Sequence, residues 1–231
     1  VYLAADLAMA VTEQTFEPEA FDMDAVEIDR GKVVDEETIE DHQTETGGFK
    51  PHEITEDGIS PRAFPGTEGG AHMSTGLEHD EQGRRTEDTE MRVEQVDKRN
   101  RKVETARERE DLSPREFGDP DSDNLVVTWG SNEGTLVEAL EFLEEEDIDV
   151  RILSVPYLFP RPDLTAEFEA ADEVVVVECN ATGQFADVVE HDTLQRVKRI
   201  NKYNGVQFKA DELADDIKET LAADEGHEVE A

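Results

Sequence analysis

Cysteine is almost absent from this chain, which has one, Cys179, among 231 residues. A single thiol forms no disulfide within the chain, and it can neither ligate an iron–sulfur cluster alone nor complete a structural zinc site. Because Cys179 ends an apolar run that is typical of a buried strand, we expect it to be a small residue of the core. We predict no metal site in this chain.

Long apolar runs are missing as well. No stretch approaches the roughly 18 consecutive apolar residues of a membrane span, and no basic segment followed by an apolar one opens the chain as a signal peptide would. We accordingly expect no membrane partner. Hydrophobic residues still make up 36% of the sequence, which is enough for a core of ordinary size.

Basic residues are scarce, since 22 lysines and arginines face 60 acidic residues and leave a net charge of −38. Self-repulsion on this scale destabilises a compact state in dilute buffer, whereas in molar salt the Debye length falls to about 3 Å. We therefore expect a cytoplasmic protein of a halophile that keeps molar salt inside. An ordinary acidic protein is the alternative. No basic stripe offsets the charge, so we expect no nucleic-acid partner.

One stretch, residues 125–180, combines strand-like and helix-like patterns in a regular order. Residues 125–129 form a β-rich run that ends at Gly130, and residues 133–143 carry apolar side chains at the spacing of one helix face. Residues 150–155 and 174–177 supply two further strands, the latter apolar at every position. Uninterrupted apolar runs suit strands covered on both faces, so we predict an α/β domain with a parallel sheet over residues 124–231.

The remainder of this domain fits the same pattern. Residues 155–162 form an apolar, proline-rich loop at the carboxyl end of a strand, where ligands and partners usually meet open α/β sheets. A helix through Phe185 and Val189 follows, with Thr182 as its expected N-cap. We predict a fourth strand at residues 197–200, a closing helix at residues 210–221 and a frayed acidic tail from Ala222.

The chain opens on Val1 and already has strand character over residues 1–4. A strand without partners would expose a sheet edge, so we expect further polypeptide before Val1, with a processed N-terminus as the rival explanation. Residues 5–11 resemble a short helix, and irregular acidic sequence follows to residue 46.

Glycine and proline are concentrated in residues 47–90, which excludes long helices and central strands there. We interpret this segment as a long arm that is ordered against a partner, and disorder is the alternative. Its expected anchors are apolar side chains: Ile54, Ile59, Phe64, Met73 and Leu77.

A charged, solvated helix is predicted from Thr86 to Arg109, with a sparse apolar set of Met91, Val93, Val96 and Val103. Residues 112–124, with Pro114, Gly118 and Pro120, are predicted to be a linker.

Three places could carry chemistry. The turns at residues 130–134 and 180–184 each place glycine before a helix, where backbone amides could hold a phosphate, although tight packing is the favoured interpretation. His79 lies between carboxylates and could move a proton or bind a metal, although a structural hydrogen bond is favoured. Ser74 and Ser131 have no evident base beside them, so a hydrolase triad has no support.

Several of these segments together resemble a known family. The segments are TGLEHDEQG at residues 75–83, the helix with Met91-Arg92 and Asp97-Lys98-Arg99, VTWGSNEGTLVEAL at residues 127–140 and VVVVECNATGQ at residues 174–184. They are similar to the α subunit of 2-oxoacid:ferredoxin oxidoreductases, a type that the pyruvate and 2-oxoglutarate enzymes share. The opening VYLAADLAMA is similar to the end of that subunit's pyrimidine-binding domain. Residues 124–231 are similar to the following domain, which resembles the C-terminal domain of transketolases.

The resemblance implies three parts: residues 1–46 as the remnant of a thiamine pyrimidine-binding domain, residues 47–123 as the arm, charged helix and linker, and residues 124–231 as the transketolase-like domain. It also implies oxidative decarboxylation of a 2-oxoacid on thiamine diphosphate, with transfer to coenzyme A and electrons passed through an iron–sulfur cluster to ferredoxin.

Most of that machinery is expected elsewhere. The substrate loop and the glutamate that activates thiamine would lie upstream of Val1, and the ligands of the diphosphate, magnesium and the cluster would belong to the β subunit. The resemblance therefore carries no catalytic residue over to this chain. Weak candidates for contact with a cofactor are Glu78, His79, Asn180, Gly183 and Gln184. We expect the chain to bind no cofactor alone and to act in subunit assembly.

Two other functions stay open at this point. The chain could be an α/β module that binds a nucleotide or coenzyme A at its two glycine turns. It could also be a purely structural, acidic interaction protein, which a defined complex with a β subunit would disfavour.

The charge leads to a first testable prediction. Circular dichroism of the chain in dilute buffer should show a loss of structure that molar salt restores, because salt screens the self-repulsion of the acidic side chains. A fold that is indifferent to salt would contradict the expectation of a halophilic protein.

Overall fold

The structure, a computed structural model, describes residues 13, 15–20, 22–109, 111–223 and 228–230. It divides into an N-terminal unit, Thr15–Asp111, and a C-terminal unit that contains Leu112–Ala231. The strand and helix that we predict at residues 1–4 and 5–11 lie outside the described residues. The three-part division at residues 46 and 123 stays a prediction.

The N-terminal unit contains little regular structure before its one long helix in the described residues. Strands β1 (Val33–Val34) and β2 (Arg62–Ala63) pair in parallel, and short 3-10 turns occur at Pro18–Ala20, Met23–Ala25 and Ile39–His42. Helix α1 spans Thr89–Arg109, in agreement with the predicted charged helix. Asp88 begins it, because its carboxylate accepts the Met91 amide at 2.8 Å.

Among the described residues of this unit, the apolar core is formed by four buried side chains, Val34, Ile39, Phe49 and Ala63. Three of the anchors expected in the arm, Phe64, Met73 and Leu77, are exposed within this chain. Whether a partner covers them stays a prediction.

Polar side chains of α1 hold the arm instead. Gln95, Lys98 and Thr105 are all buried, and they lie on one face of the helix. Gln95 Nε2 and Lys98 Nζ both donate to the His52 carbonyl, at 3.0 and 2.9 Å, and Thr105 Oγ1 donates to the Asp57 carbonyl at 2.8 Å. Val93 and Val96, two members of the sparse apolar set, are exposed, which agrees with a solvated helix. The buried face is polar because irregular backbone presents carbonyls that need donors.

The C-terminal unit is built on a six-stranded sheet. Its strands are β3 (Arg115–Gly118), β4 (Asn124–Trp129), β5 (Arg151–Val155), β6 (Glu173–Glu178), β7 (Lys198–Asn201) and β8 (Glu228–Glu230), in the order β3-β5-β4-β6-β7-β8. All pairs are parallel except β3 with β5. Its helices are α2 (Asn132–Glu144), α3 (Thr165–Ala170), α4 (Gln184–Thr193) and α5 (Ala210–Ala222).

Alternate residues of the central strands enter two separate cores, as expected for a sheet covered on both faces. Val126, Val175 and Ile200 pack with residues of α2 and α5 on one face. Leu125, Val127 and Val176 pack with residues of α3 and α4 on the other. The predicted α/β fold with a parallel sheet is confirmed.

Three local predictions are wrong. Residues 115–118 do not belong to a linker but form edge strand β3. This strand pairs with β5 although prolines lie near it in the sequence. Within the tail, residues 228–230 pair with β7 and are not frayed. Cys179 is exposed and is not a core residue, because β6 ends one residue before it.

Among the described residues, no helix is both long and apolar enough to cross a membrane.

The contact between the arm and α1 leads to a prediction at Gly58, which has a φ of +73°. A Cβ there would lie 2.5 Å from the Lys98 carbonyl oxygen and 2.5 Å from the backbone nitrogen of Lys102. Gly58→Ala should therefore lose about 1–2 kcal/mol of unfolding free energy from its backbone conformation and about 1–3 kcal/mol more from the clash.

Gly47→Ala is the matched control, because Gly47 has a φ of +83° and nothing within 4 Å of the added Cβ. Thermal unfolding of the full chain in molar salt compares the two variants. If Gly58→Ala and Gly47→Ala lost the same free energy of unfolding, α1 would not be in close contact with the arm at Gly58.

Candidate functional site

The carboxyl ends of the parallel strands meet at one edge of the sheet, where open α/β sheets usually bind ligands. The segments that leave this edge are the turn after β4, the loop after β5 and the turn after β6. The turns at residues 130–134 and 180–184 thus lie at the same edge, as the sequence predicts. The two turns and the loop form the region of the C-terminal unit where a site is most expected.

A buried carboxylate organises the turn after β6. Glu178, the last residue of β6, is fully buried, and its oxygens accept the Phe185 and Ala186 amides, each at 3.0 Å. These amides belong to the first turn of α4, where a bound phosphate would also be held. The chain therefore supplies its own anion at this helix terminus.

Asn180 and Gly183 shape the same turn. Asn180 Oδ1 accepts the amides of Thr182, Gly183 and Gln184, at 3.2, 2.8 and 3.2 Å. The expected cap at Thr182 is wrong, because the side chains that accept these amides come from Asn180 and Glu178. Gly183 stands at the N-cap position with a φ of +64°. Its positive φ favours glycine, and a Cβ there, 2.8 Å from Arg199 Nη1, would displace the end of the arginine side chain.

The turn after β4 carries an acidic side chain and two buried polar atoms that lack a hydrogen-bond partner within the described residues. Glu133 lies in the first turn of α2 and pairs with Arg115 at 3.0 Å. The second carboxylate oxygen of Glu133 and the indole nitrogen of Trp129 are buried without a hydrogen-bond partner in the described part of the chain. Cys179 Sγ donates to Asn132 Oδ1 at 3.1 Å. Acidic side chains therefore stand at both helix starts, which disfavours phosphate binding there.

Glu78 and His79 belong to the N-terminal unit. Glu78 receives two hydrogen bonds from the Arg99 guanidinium, at 3.1 and 2.9 Å, and these bonds lower the pKa of the Glu78 carboxyl group. His79 stacks on His52 with ring centroids 3.8 Å apart, and its Nδ1 lies 3.2 Å from the Asp80 carbonyl oxygen. Both residues thus make structural contacts with α1 or the arm. A role in cofactor binding for them, and for Asn180, Gly183 and Gln184, stays a prediction.

His52, Lys98 and Gln95 form a polar cluster that sequence reasoning missed. Burial, together with the nearby His79 and Lys98, lowers the pKa of His52 to about 4. Burial, together with Lys102 and Arg99, lowers the pKa of Lys98 to about 8. Glu178 was missed as well. Its one signal in the sequence is a carboxylate that ends an apolar strand a few residues before a helix.

The donor atoms of this chain do not fit an iron–sulfur cluster, which needs several thiolates, whereas the chain has one cysteine. No group of three or more His, Cys, Asp or Glu side chains within the described residues could hold a metal ion.

Comparison with known proteins gives clear relatives, although no protein-family model matches the chain. The chain is 33% identical over 229 residues to the α subunit of 2-oxoacid:ferredoxin oxidoreductase 2 of Aeropyrum pernix, and the alignment covers 97% of this chain and 33% of that protein. It is 34% identical over 210 residues to the α subunit of 2-oxoacid:ferredoxin oxidoreductase 1 of Sulfurisphaera tokodaii, with 89% of this chain and 31% of that protein covered. The chain thus spans about a third of the length of the curated relatives it matches.

A solved structure agrees with these relatives. The fold is similar to that of 2-oxoglutarate:ferredoxin oxidoreductase from Magnetococcus marinus, which was solved with 2-oxoglutarate, coenzyme A and succinyl-CoA bound. The TM-score is 0.67 at 28% sequence identity, and the match covers 77% of this chain and 31% of that one. Sequence and structure agree: over most of its length the chain is similar to about a third of the α subunit of 2-oxoacid:ferredoxin oxidoreductases.

Proposed function

We propose that this chain works as part of the α subunit of a cytoplasmic enzyme that oxidatively decarboxylates a 2-oxoacid, such as pyruvate or 2-oxoglutarate. In that reaction the bond between C1 and C2 of the oxoacid breaks, carbon dioxide leaves, and the acyl carbon forms a thioester with coenzyme A. Two electrons pass to ferredoxin. The identity of 33% across 97% of the chain to an α subunit of this class carries the proposal.

Thiamine diphosphate would supply the electron sink for the decarboxylation, and an iron–sulfur cluster would carry the electrons. We assign the ligands of both groups, and of magnesium, to a β subunit or to other parts of the enzyme. The basis is the donor set of this chain, which offers one cysteine and no metal-binding cluster in its described residues. No step of the reaction is therefore assigned to a side chain of this chain.

The contribution that we propose for the chain is assembly around the thiamine site. The loop after β5 exposes three consecutive apolar side chains, Tyr157, Leu158 and Phe159. Contiguous exposed apolar groups mark interaction sites on soluble proteins, and this loop leaves the edge of the sheet where partners usually bind. In a chain with a net charge of −38, such a loop fits an apolar surface of the β subunit.

The proposal predicts the behaviour of a variant at Phe159, whose side chain is 70% exposed. Phe159→Asp within the complete oxidoreductase should weaken α–β association about tenfold or more, because a charge would be buried in an apolar contact. Complex formation is measured by sedimentation in molar salt, and 2-oxoacid-dependent reduction of ferredoxin by absorbance. Activity should fall in parallel with the amount of complex.

Leu194→Asp is the matched control, since Leu194 is 88% exposed but follows the carboxyl end of α4, toward the opposite edge of the sheet. It should assemble and react normally. An unchanged complex with Phe159→Asp would contradict the assembly role of the loop. Appreciable 2-oxoacid oxidation by the chain without any β subunit would contradict the proposed division of labour.

A further inference from the structure

The N-terminal unit contains a cavity of about 680 Å³, and all of its lining residues lie between positions 29 and 109. A volume of this size is typical of sites for small molecules, which occupy roughly 300–1,000 Å³. The cavity has an apolar side, formed in part by Phe49, Ile59 and Ala63. Its remaining wall is rich in cations.

The charge of this wall is opposite to that of the chain. Lys98, Lys102, Arg62 and Arg109 line the cavity, and Asp29 is the single acidic residue among the lining side chains. In the whole sequence, by contrast, acidic residues outnumber basic ones by 60 to 22. A local excess of positive charge in so acidic a chain requires a specific explanation.

Lys98 is the least expected of these cations. Its side chain is only 3% exposed, and its ammonium group donates to two neutral acceptors, the His52 carbonyl at 2.9 Å and Ser60 Oγ at 2.8 Å. Within the described residues it forms no ion pair. The nearby carboxylate of Glu81 accepts the Ile54 amide at 2.9 Å. Buried charges in proteins are normally paired, because an isolated one is costly to desolvate.

The other basic side chains of the cavity wall differ in the partners that they already have. Arg109 pairs with Asp57 at 3.1 Å, and Arg62 donates to the Arg30 carbonyl at 2.8 Å. Lys102 lies one helical turn after Lys98, is exposed, and has neither an ion pair nor a side-chain hydrogen bond among the described residues. Two lysines of one helix face thus carry positive charge into the cavity, and neither forms an ion pair within the described residues, although the charge of Glu81 acts on Lys98.

We propose that this cavity binds a small organic anion. Its carboxylate or phosphate group would lie against Lys98 and Lys102, and its apolar body against Phe49, Ile59 and Ala63. The anion would give Lys98 a direct ion pair, whereas the acceptors that hold its ammonium group in the described residues are neutral. Ser60 and His52, which already hold Lys98, also line the cavity, so the ammonium group is fixed before the ligand arrives. This site is independent of the proposed reaction and goes beyond it.

The test uses the full chain in molar salt and titrates it with phenyl phosphate, benzoate, inorganic phosphate and benzyl alcohol, followed by ligand-observed NMR and calorimetry. Phenyl phosphate or benzoate should bind, and the stronger of the two identifies the anionic group. Benzyl alcohol should bind much more weakly. No binding of either aromatic anion, or equal binding of benzyl alcohol or inorganic phosphate, would overturn the proposal.

Variants locate the site. Lys102→Met should weaken binding of the aromatic anion about tenfold or more, the effect of losing one charged hydrogen bond. It should fold normally, because within the described residues the Lys102 side chain has no hydrogen bond or ion pair to lose. Lys98→Met should weaken binding further, and its circular dichroism reports whether the arm stays folded. Lys209→Met, an exposed lysine of the C-terminal unit, is the control and should bind as the parent chain does. An affinity that is unchanged in Lys102→Met would overturn the proposal.

Discussion

Helix α1 donates side-chain hydrogen bonds to backbone carbonyls of an arm that has almost no regular structure of its own, and the N-terminal unit depends on this arrangement. In the described part of the unit, four apolar side chains form the core, which is too little burial to order so many residues. Gln95, Lys98 and Thr105 add donors along one face of the helix. Because buried carbonyls without donors are costly, the same residues that hold the arm also fix its path.

The C-terminal unit uses a carboxylate for a comparable purpose. Glu178 leaves the central strand and binds the first amides of α4, so that strand, turn and helix are joined by one side chain. This arrangement fixes the position of residues 180–184 at the edge of the sheet. It also explains why the turn resembles a phosphate-binding turn although no ligand is needed there. The carboxylate of Glu178 accepts the amides that a phosphate would otherwise bind.

The sequence is sufficient to predict the α/β domain, because its strands and helices show clear apolar periodicity. Strand β6 and helix α2 lie where the pattern places them, within a residue. Edge strand β3 could not be predicted from local pattern, since its four residues gain their order from pairing with β5. The buried polar face of α1 was missed for a related reason. Its partners are carbonyls distant in sequence, and residue type alone does not reveal them.

The site was harder to predict than the fold. The acidic neighbours of His79 in the sequence suggest a proton shuttle or a metal ligand. In the structure its ring stacks on His52, nearly thirty residues earlier in the chain. Lys98 belonged to a basic run that is typical of a solvated face, but the structure buries it. The first contact joins two parts of the arm and the second joins the arm to α1, and no periodic pattern encodes contacts of this kind.

Strand β3 has a consequence for the behaviour of the sheet in concentrated salt. At molar ionic strength like charges no longer keep neighbouring molecules apart, and an open strand edge becomes a template for aggregation. The four-residue β3, antiparallel to β5, covers the long inner strands on one side, and the three-residue β8 does so on the other. Short borders of this kind leave too few free amides for another sheet to join, so the topology protects solubility where charge repulsion does not.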